Sequence, residues 1–298
     1  MNSRGNYMQK NTHLFFIVII ILFISPMILD FFSNTLQQEV IVGQADDKHV
    51  IIDEQPEEKE VIPLEQLEKK QEVSVTNQFN NIIEKTAQQK TALFLFTHSH
   101  EAFKPIVKSE NGLAEVYHPT TNITVFQDMI KNQFGLNSIK TEFLAVDTMD
   151  EMKKNNRAFA EAYDVIRPFL ATQLQEKEYD LIIDLHRDSA TRNTTSLTYN
   201  NQSYGKLYFV VGEEHPNFQL NKSYAEHLSK HLNELVPNIS RGVLGKRGDN
   251  VDGIYNQDLA KNMVLIELGG IENTQDEINR TISVLAKASA IILQENPL

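Results

Sequence analysis

Three short apolar runs, each stopping at a histidine or an acid, constrain this chain more than any other feature. Ala92-Leu93-Phe94-Leu95-Phe96 leads into Thr97-His98-Ser99-His100-Glu101, and Leu181-Ile182-Ile183-Asp184-Leu185 leads into His186-Arg187-Asp188. Met263-Val264-Leu265-Ile266 leads into Glu267-Leu268-Gly269-Gly270. Runs this short and this apolar suit strands covered on both faces. Two further strands are read at residues 142–146 and 206–211.

Helical patterns fill the gaps. Residues 124–134 are amphipathic, with Val125, Met129 and Phe134 inward. Residues 155–177 carry Phe159, Ala162, Ile166 and Phe169 at helical spacing, with a kink at Pro168. Residues 221–235 are also helical. The last helix opens on a capping box from Thr274 to Glu277, and Ile278, Ile282, Leu285 and Ile292 form its inner stripe. Strands alternating with helices predict an α/β fold, a three-layer αβα sandwich around a mostly parallel mixed sheet. Ligands in such sheets gather outside the carboxyl ends of the strands.

The first third reads differently. Arg4 and Lys10 precede an apolar block at residues 14–29, short for a membrane span but serviceable. Basic residues before it and acidic ones after it predict a single-pass anchor in the cell membrane, with a cytoplasmic tip and an extracytoplasmic body. A cleaved signal peptide is the rival reading, and no small-x-small cleavage site follows the block. Residues 39–72 hold 11 acids and 4 bases with Pro56 and Pro63. Such a segment buries too little apolar surface to offset its ordering entropy, so it is expected to be a disordered linker rather than a docking segment. The expected organisation is a tip and anchor at 1–32, an acidic linker at 33–90 and a catalytic domain at 91–298.

Charge and cysteine content narrow the chemistry. A formal charge of −12 disfavours nucleic acid, whose phosphates call for a basic surface. With no cysteine in the chain, a zinc site must use histidine and carboxylate. The polar groups that end the three buried runs need partners, because a lone buried charge costs several kcal/mol. A shared Zn2+ held by His98, Glu101 and His186 would supply one and leave a coordination position open, as catalytic zinc sites do. His100 is the rival ligand if the strand continues past Phe96. Asp184, two residues before His186, is expected to orient that histidine rather than bind metal. Glu267 is the candidate general base, its pKa lifted by an apolar strand.

Each assignment has a plainer counterpart. The first motif can be a capped turn with surface histidines, His186 a core histidine held by Asp184, and Glu267 a buried acid paired with Arg187 or Arg241. His227 and His231 lie four apart on a helix, but Leu228-Ser229-Lys230 between them lacks the glutamate of a zinc-protease pair, so they read as surface residues. His118 and His215 read as loop residues. Residues 240–258 read as a long Gly-rich connection suited to binding. Arg187, Arg241, Tyr255 and Asn256 are the candidate substrate-binding residues.

With these blocks assembled, residues 92–294 resemble the stage II sporulation protein P family of peptidoglycan amidases. The resemblance rests on Thr97-His98-x-x-Glu101-Ala102-Phe103, Ile183-Asp184-Leu185-His186-Arg187-Asp188-Ser189 and Ser240-Arg241-Gly242. It continues through Gly253-Ile254-Tyr255-Asn256-Gln257-Asp258 and Leu265-Ile266-Glu267-Leu268-Gly269-Gly270 with Asn273-Thr274. It implies N-acetylmuramoyl-L-alanine amidase activity on peptidoglycan during engulfment, with His98, Glu101 and His186 at metal positions and Glu267 at the catalytic one. It also implies sporulation membrane partners and a lytic transglycosylase. Two alternatives stand beside it: a zinc endopeptidase acting within stem peptides, and a non-catalytic wall-binding module.

Overall fold

The computed structural model describes residues 89–295, so the expected anchor and nearly all of the expected linker lie outside the described residues. No helix among the described residues is long and apolar enough to cross a membrane. The chain runs β1 (Lys90–Leu95), α1 (Lys104–Asn111), α2 (Gln127–Leu136), β2 (Ile139–Phe143), α3 (Thr148–Lys154), α4 (Ala162–Glu176) and β3 (Leu181–Asp188). It continues through α5 (Arg192–Thr195), β4 (Ser196–Tyr199), β5 (Gln202–Gly205), β6 (Leu207–Gly212) and α6 (Phe218–Leu235). It ends with β7 (Ser240–Lys246), β8 (Met263–Gly270) and α7 (Gln275–Glu295).

The three apolar runs become three adjacent strands at the heart of a 6-stranded sheet of order β2-β1-β3-β8-β6-β7. β2, β1, β3 and β8 are mutually parallel, β6 is antiparallel to β8, and β7 runs parallel to β6. The sheet is therefore mixed and mostly parallel, as the alternation of elements predicts. Successive side chains point to opposite faces. Phe94, Ile183, Leu185, Val264, Ile266 and Leu268 pack with α2, α6 and α7. Leu93, Leu95, Ile182 and Met263 pack instead under Ile166 and Leu170 of α4. Asp184, His186 and Glu267 fall on this second face by alternation along β3 and β8.

Several boundaries differ from expectation. β1 begins at Lys90, inside the expected linker. β2 begins at Ile139, not 142, because Ile139 and Thr141 are its buried side while Glu142 is drawn outward by Lys177 and Tyr179. Residues 240–246 are an edge strand, not an irregular connection; Gly242, at φ +94°, lies where the pairing with β6 shifts register. In the 124–134 segment Val125 is exposed, and Ile123, Phe126, Ile130 and Phe134 face inward. The 155–177 helix starts only at Ala162, after a 3₁₀ turn at Phe159–Glu161. Its inner stripe is accordingly Ala162, Tyr163, Ile166 and Leu170, which leaves Phe159 and Phe169 48% and 42% exposed. The last helix follows the sequence reading: Thr274 and Glu277 exchange hydrogen bonds, and its four named apolar residues are buried.

Candidate metal centre

β1 delivers its polar end by stopping early. The chain turns after Phe96, and the turn closes when the Glu101 amide donates to the His98 carbonyl at 3.0 Å. Asp184 fastens this turn to β3 by accepting from Thr97 N at 3.1 Å and from Thr97 Oγ1 at 2.7 Å. One Glu101 oxygen lies 3.4 Å from His98 Nδ1; the other accepts from the Arg187 amide at 2.7 Å. His186 Nδ1 is 3.8 Å from that second oxygen. The two imidazoles stand perpendicular with centroids 4.9 Å apart. His98, Glu101 and His186 thus offer donor atoms that all lie within 4.8 Å of one another.

Glu267 completes the cluster through strand register. It sits directly opposite His186 in the β3–β8 pairing, so both side chains leave the same face of strands about 4.8 Å apart. Its Oε2 is enclosed and has no hydrogen-bond partner. Neither expected arginine serves it. Arg187 donates to the carbonyls of Val116 and Asp188, and Arg241 pairs with the Asp188 carboxylate. Burial raises the Glu267 pKa to about 7; His186 and Arg187 pull it down, while Glu101 and Asp188 push it up. Just beyond, Gly269 at φ +62° carries an irregularity in the β3–β8 pairing, as bulges beside active sites often do.

The neighbours of His186 decide its charge. Burial alone would lower its pKa, yet Asp184, Glu101 and Glu267 together raise it to about 10. A buried imidazole so strongly charged means that the carboxylates around it demand a cation. His186 Nε2 lies 3.1 Å from Asp184 Oδ1 but is not aligned for a hydrogen bond, a pairing that would fix the ring with Nδ1 toward Glu101. Glu101 stays below its ordinary carboxyl pKa although burial opposes the charge, because His98, His186 and Arg187 outweigh it. Two imidazoles, a carboxylate, a carboxylate behind one imidazole and an unpartnered carboxylate oxygen fit a divalent cation of the zinc type.

The remaining candidates separate. His100 turns away and meets Asp147 at 3.0 Å. His100, Asp147 and Asp150 form a second cluster, but Asp147 is there as the N-cap of α3 and also accepts from Ser99. Asn256 is buried, donating to the Tyr163 carbonyl and accepting from Arg167, and Tyr255 packs edge-on against Tyr163 at 5.1 Å. Arg241 remains at the surface of β7, its guanidinium 4.3 Å over the Tyr208 ring. His231 is buried, not a surface residue, with its two ring nitrogens on Glu234 and Glu295; His227 is exposed. His215 is likewise buried, while His118 caps the turn at Thr120 and Thr121. The sequence reading missed an aromatic wall. Phe159 stacks on His98 at 4.5 Å, Tyr163 lies 6.2 Å from His186, and Tyr117 meets Phe159 edge-on at 6.0 Å. The four-residue step from Phe159 to Tyr163 was the available signal, but it reads equally well as core.

Comparison with known proteins bears on the same residues. The family model described as Stage II sporulation protein P (SpoIIP) matches residues 10–290, which include His98, Glu101, His186 and Glu267. This chain belongs to the stage II sporulation protein P family. The Stage II sporulation protein P of Bacillus subtilis (strain 168) is 31% identical over 224 residues, 75% of this chain and 56% of that protein. The chain thus spans little more than half the length of that relative. Among solved structures, the CwlD amidase of Clostridioides difficile, in complex with the GerS lipoprotein, is 11% identical at a TM-score of 0.45, covering 70% of this chain and 99% of that one. The N-acetylmuramyl-L-alanine amidase Ami1 of Mycobacterium smegmatis is 11% identical at a TM-score of 0.39, covering 69% and 97%. Both are distant likenesses.

Proposed function

We propose that this protein is a zinc-dependent peptidoglycan hydrolase that cleaves the amide between N-acetylmuramic acid and the L-alanine of the stem peptide during sporulation. One observation carries the reading: His98, Glu101 and His186 converge, and the unpartnered Glu267 carboxylate shares their face in register with His186. Membership of the stage II sporulation protein P family supports the substrate and the process. The apolar block at residues 14–29 supports attachment to the membrane, with the hydrolase on its outer side.

His98, Glu101 and His186 would hold the cation, with Asp184 steadying His186. A divalent ion bound there supplies Lewis acidity, acidifying water and polarising an amide carbonyl. Glu267 does the proton work. A carboxylate with a pKa near 7 is a base strong enough to take a proton from attacking water and acidic enough to return it to the departing L-alanine nitrogen. Tyr163 closes the wall beside His186 and, with its pKa held well above 10 by burial and nearby carboxylates, remains a neutral phenol.

The test is to digest purified sacculi with the full chain, with and without a chelator, and to sequence the released fragments by mass. Intact stem peptides with a free L-alanine amine, lost on chelation and restored by zinc, support the reading. Fragments cut inside the stem, or between sugars, overturn it.

A further inference from the structure

We propose that the substrate lies across the strand ends in one direction, with a glycan sugar stacked on Phe159 and edged by Tyr117 and the stem peptide running toward Arg241. This rests on the amidase reading above and adds a glycan subsite to it.

The observation that calls for explanation is an exposed aromatic pair beside a metal-site residue. Phe159 and Tyr117 are 48% and 46% exposed, and their rings meet edge to face at 6.0 Å. Phe159 does not drift free: it lies nearly flat on His98, 26° from parallel. Tyr117 is held by a backbone bridge to Glu101 and by the Arg187 guanidinium at 5.6 Å. Rings fixed from behind and open in front form a ready platform, with little side-chain entropy left to lose when a flat ligand covers them.

Charge selects the ligand. Two acids follow Phe159 on its own segment, Glu161 in the same turn and Asp164 one turn on. The cation of that segment, Arg157, is already shared between Glu161 and Asp164. The C–H face of a pyranose is uncharged and suits an aromatic ring. The other side of the centre differs. Tyr208 pairs with Glu267 across β6 and β8, so it shares the site's face, and Arg241 covers its ring. Arg241 keeps 23% of its side chain exposed. In an N-acetylmuramoyl peptide a short lactyl ether separates the sugar from the amide. A sugar on Phe159 therefore leaves the amide over His98, His186 and Glu267, with the peptide continuing over β6 toward β7.

The chain has no tryptophan, so Phe159→Trp places a single reporter on the platform. Two probes are titrated into the full chain: a peptide-free oligosaccharide of alternating N-acetylglucosamine and N-acetylmuramic acid, and a sugar-free lactoyl stem tripeptide. The oligosaccharide should shift the fluorescence saturably and the tripeptide should not. Read by isothermal titration calorimetry, which needs no reporter, Phe159→Ala and Tyr117→Ala should each weaken oligosaccharide binding by about tenfold, the scale of one lost stacking contact. In the same calorimetry Arg241→Gln should weaken only the tripeptide. A shift caused by the tripeptide and not the oligosaccharide overturns the orientation. So does a Phe159→Ala protein, folded by circular dichroism, that binds the oligosaccharide as tightly as the parent chain. Fragment masses from sacculi report separately on the bond: cuts inside the stem with the sugar signal intact would remove the amidase reading and leave the platform.

Discussion

Two glutamates on one strand–turn–helix unit meet opposite fates. Glu277, at the start of α7, is saturated: it pairs with Arg192, accepts from Thr274 N at 3.0 Å and from Asn273 Nδ2 at 3.0 Å, and its pKa falls to about 2. Glu267, near the end of β8, has an enclosed oxygen with no partner, and its pKa rises to about 7. The turn between them is tied by Gly270 N donating to Asn273 Oδ1 at 2.8 Å. One carboxylate is used to hold the fold and the other is kept available. Buried polar groups are usually satisfied, so an unpartnered carboxylate oxygen beside two histidines is a candidate for binding or reaction.

Replacing each residue in turn tests that contrast. The largest effect is expected from Glu267→Gln, which should cut hydrolysis of sacculi roughly a thousandfold, as for loss of a general base. The same change should raise the melting temperature of chelated protein at pH 8. The sign follows from the raised pKa. Native Glu267 keeps its proton up to about pH 7, whereas the unfolded chain releases it near 4.5, so this residue increasingly destabilises the fold between those values. A variant that loses stability instead would mean that Glu267 is structural.

Asp184→Asn should come next, weakening zinc affinity about 10- to 100-fold in a competition titration, because His186 loses the carboxylate that orients it. Unchanged affinity would remove Asp184 from the centre. Gly269→Ala should destabilise by about 2 kcal/mol in urea. Its φ of +62° strains an L residue, and the new Cβ would sit 2.6 Å from Ile278 Cδ1 and 2.8 Å from Asn273 Oδ1. Glu277→Gln should cost about 1–2 kcal/mol at pH 7, less than its pKa shift alone suggests because Arg192 is partly exposed and screened. That contribution is whole above pH 4.5 and disappears as the pH falls toward 2, so variant and parent should converge in acid unfolding. A difference that persists at pH 2 would show that packing, not charge, is at work.

Much of this was legible in one dimension. The alternation of buried strands and amphipathic helices dictated a mostly parallel sheet, since β1, β3 and β8 are too short and too apolar for anything else. The polar residues ending those strands singled out His98, Glu101, His186 and Glu267 as candidates, because a buried charge needs a partner. The capping box of α7 was equally plain, being set by a few neighbouring residues.

Only the tertiary structure decided the rest. Strand order put β3 beside β8, and their register set Glu267 opposite His186 rather than one residue away on the far face. Sequence spacing gave Phe159 to the core, but the helix begins at Ala162, and those few residues of 3₁₀ turn rotate Phe159 onto His98. Ser240–Lys246 reads as a loop in isolation and is a strand because β6 offers it an edge to pair with. Local chemistry fixes what each segment can become, while contacts between distant segments choose which faces meet, and the centre proposed here lies where they meet.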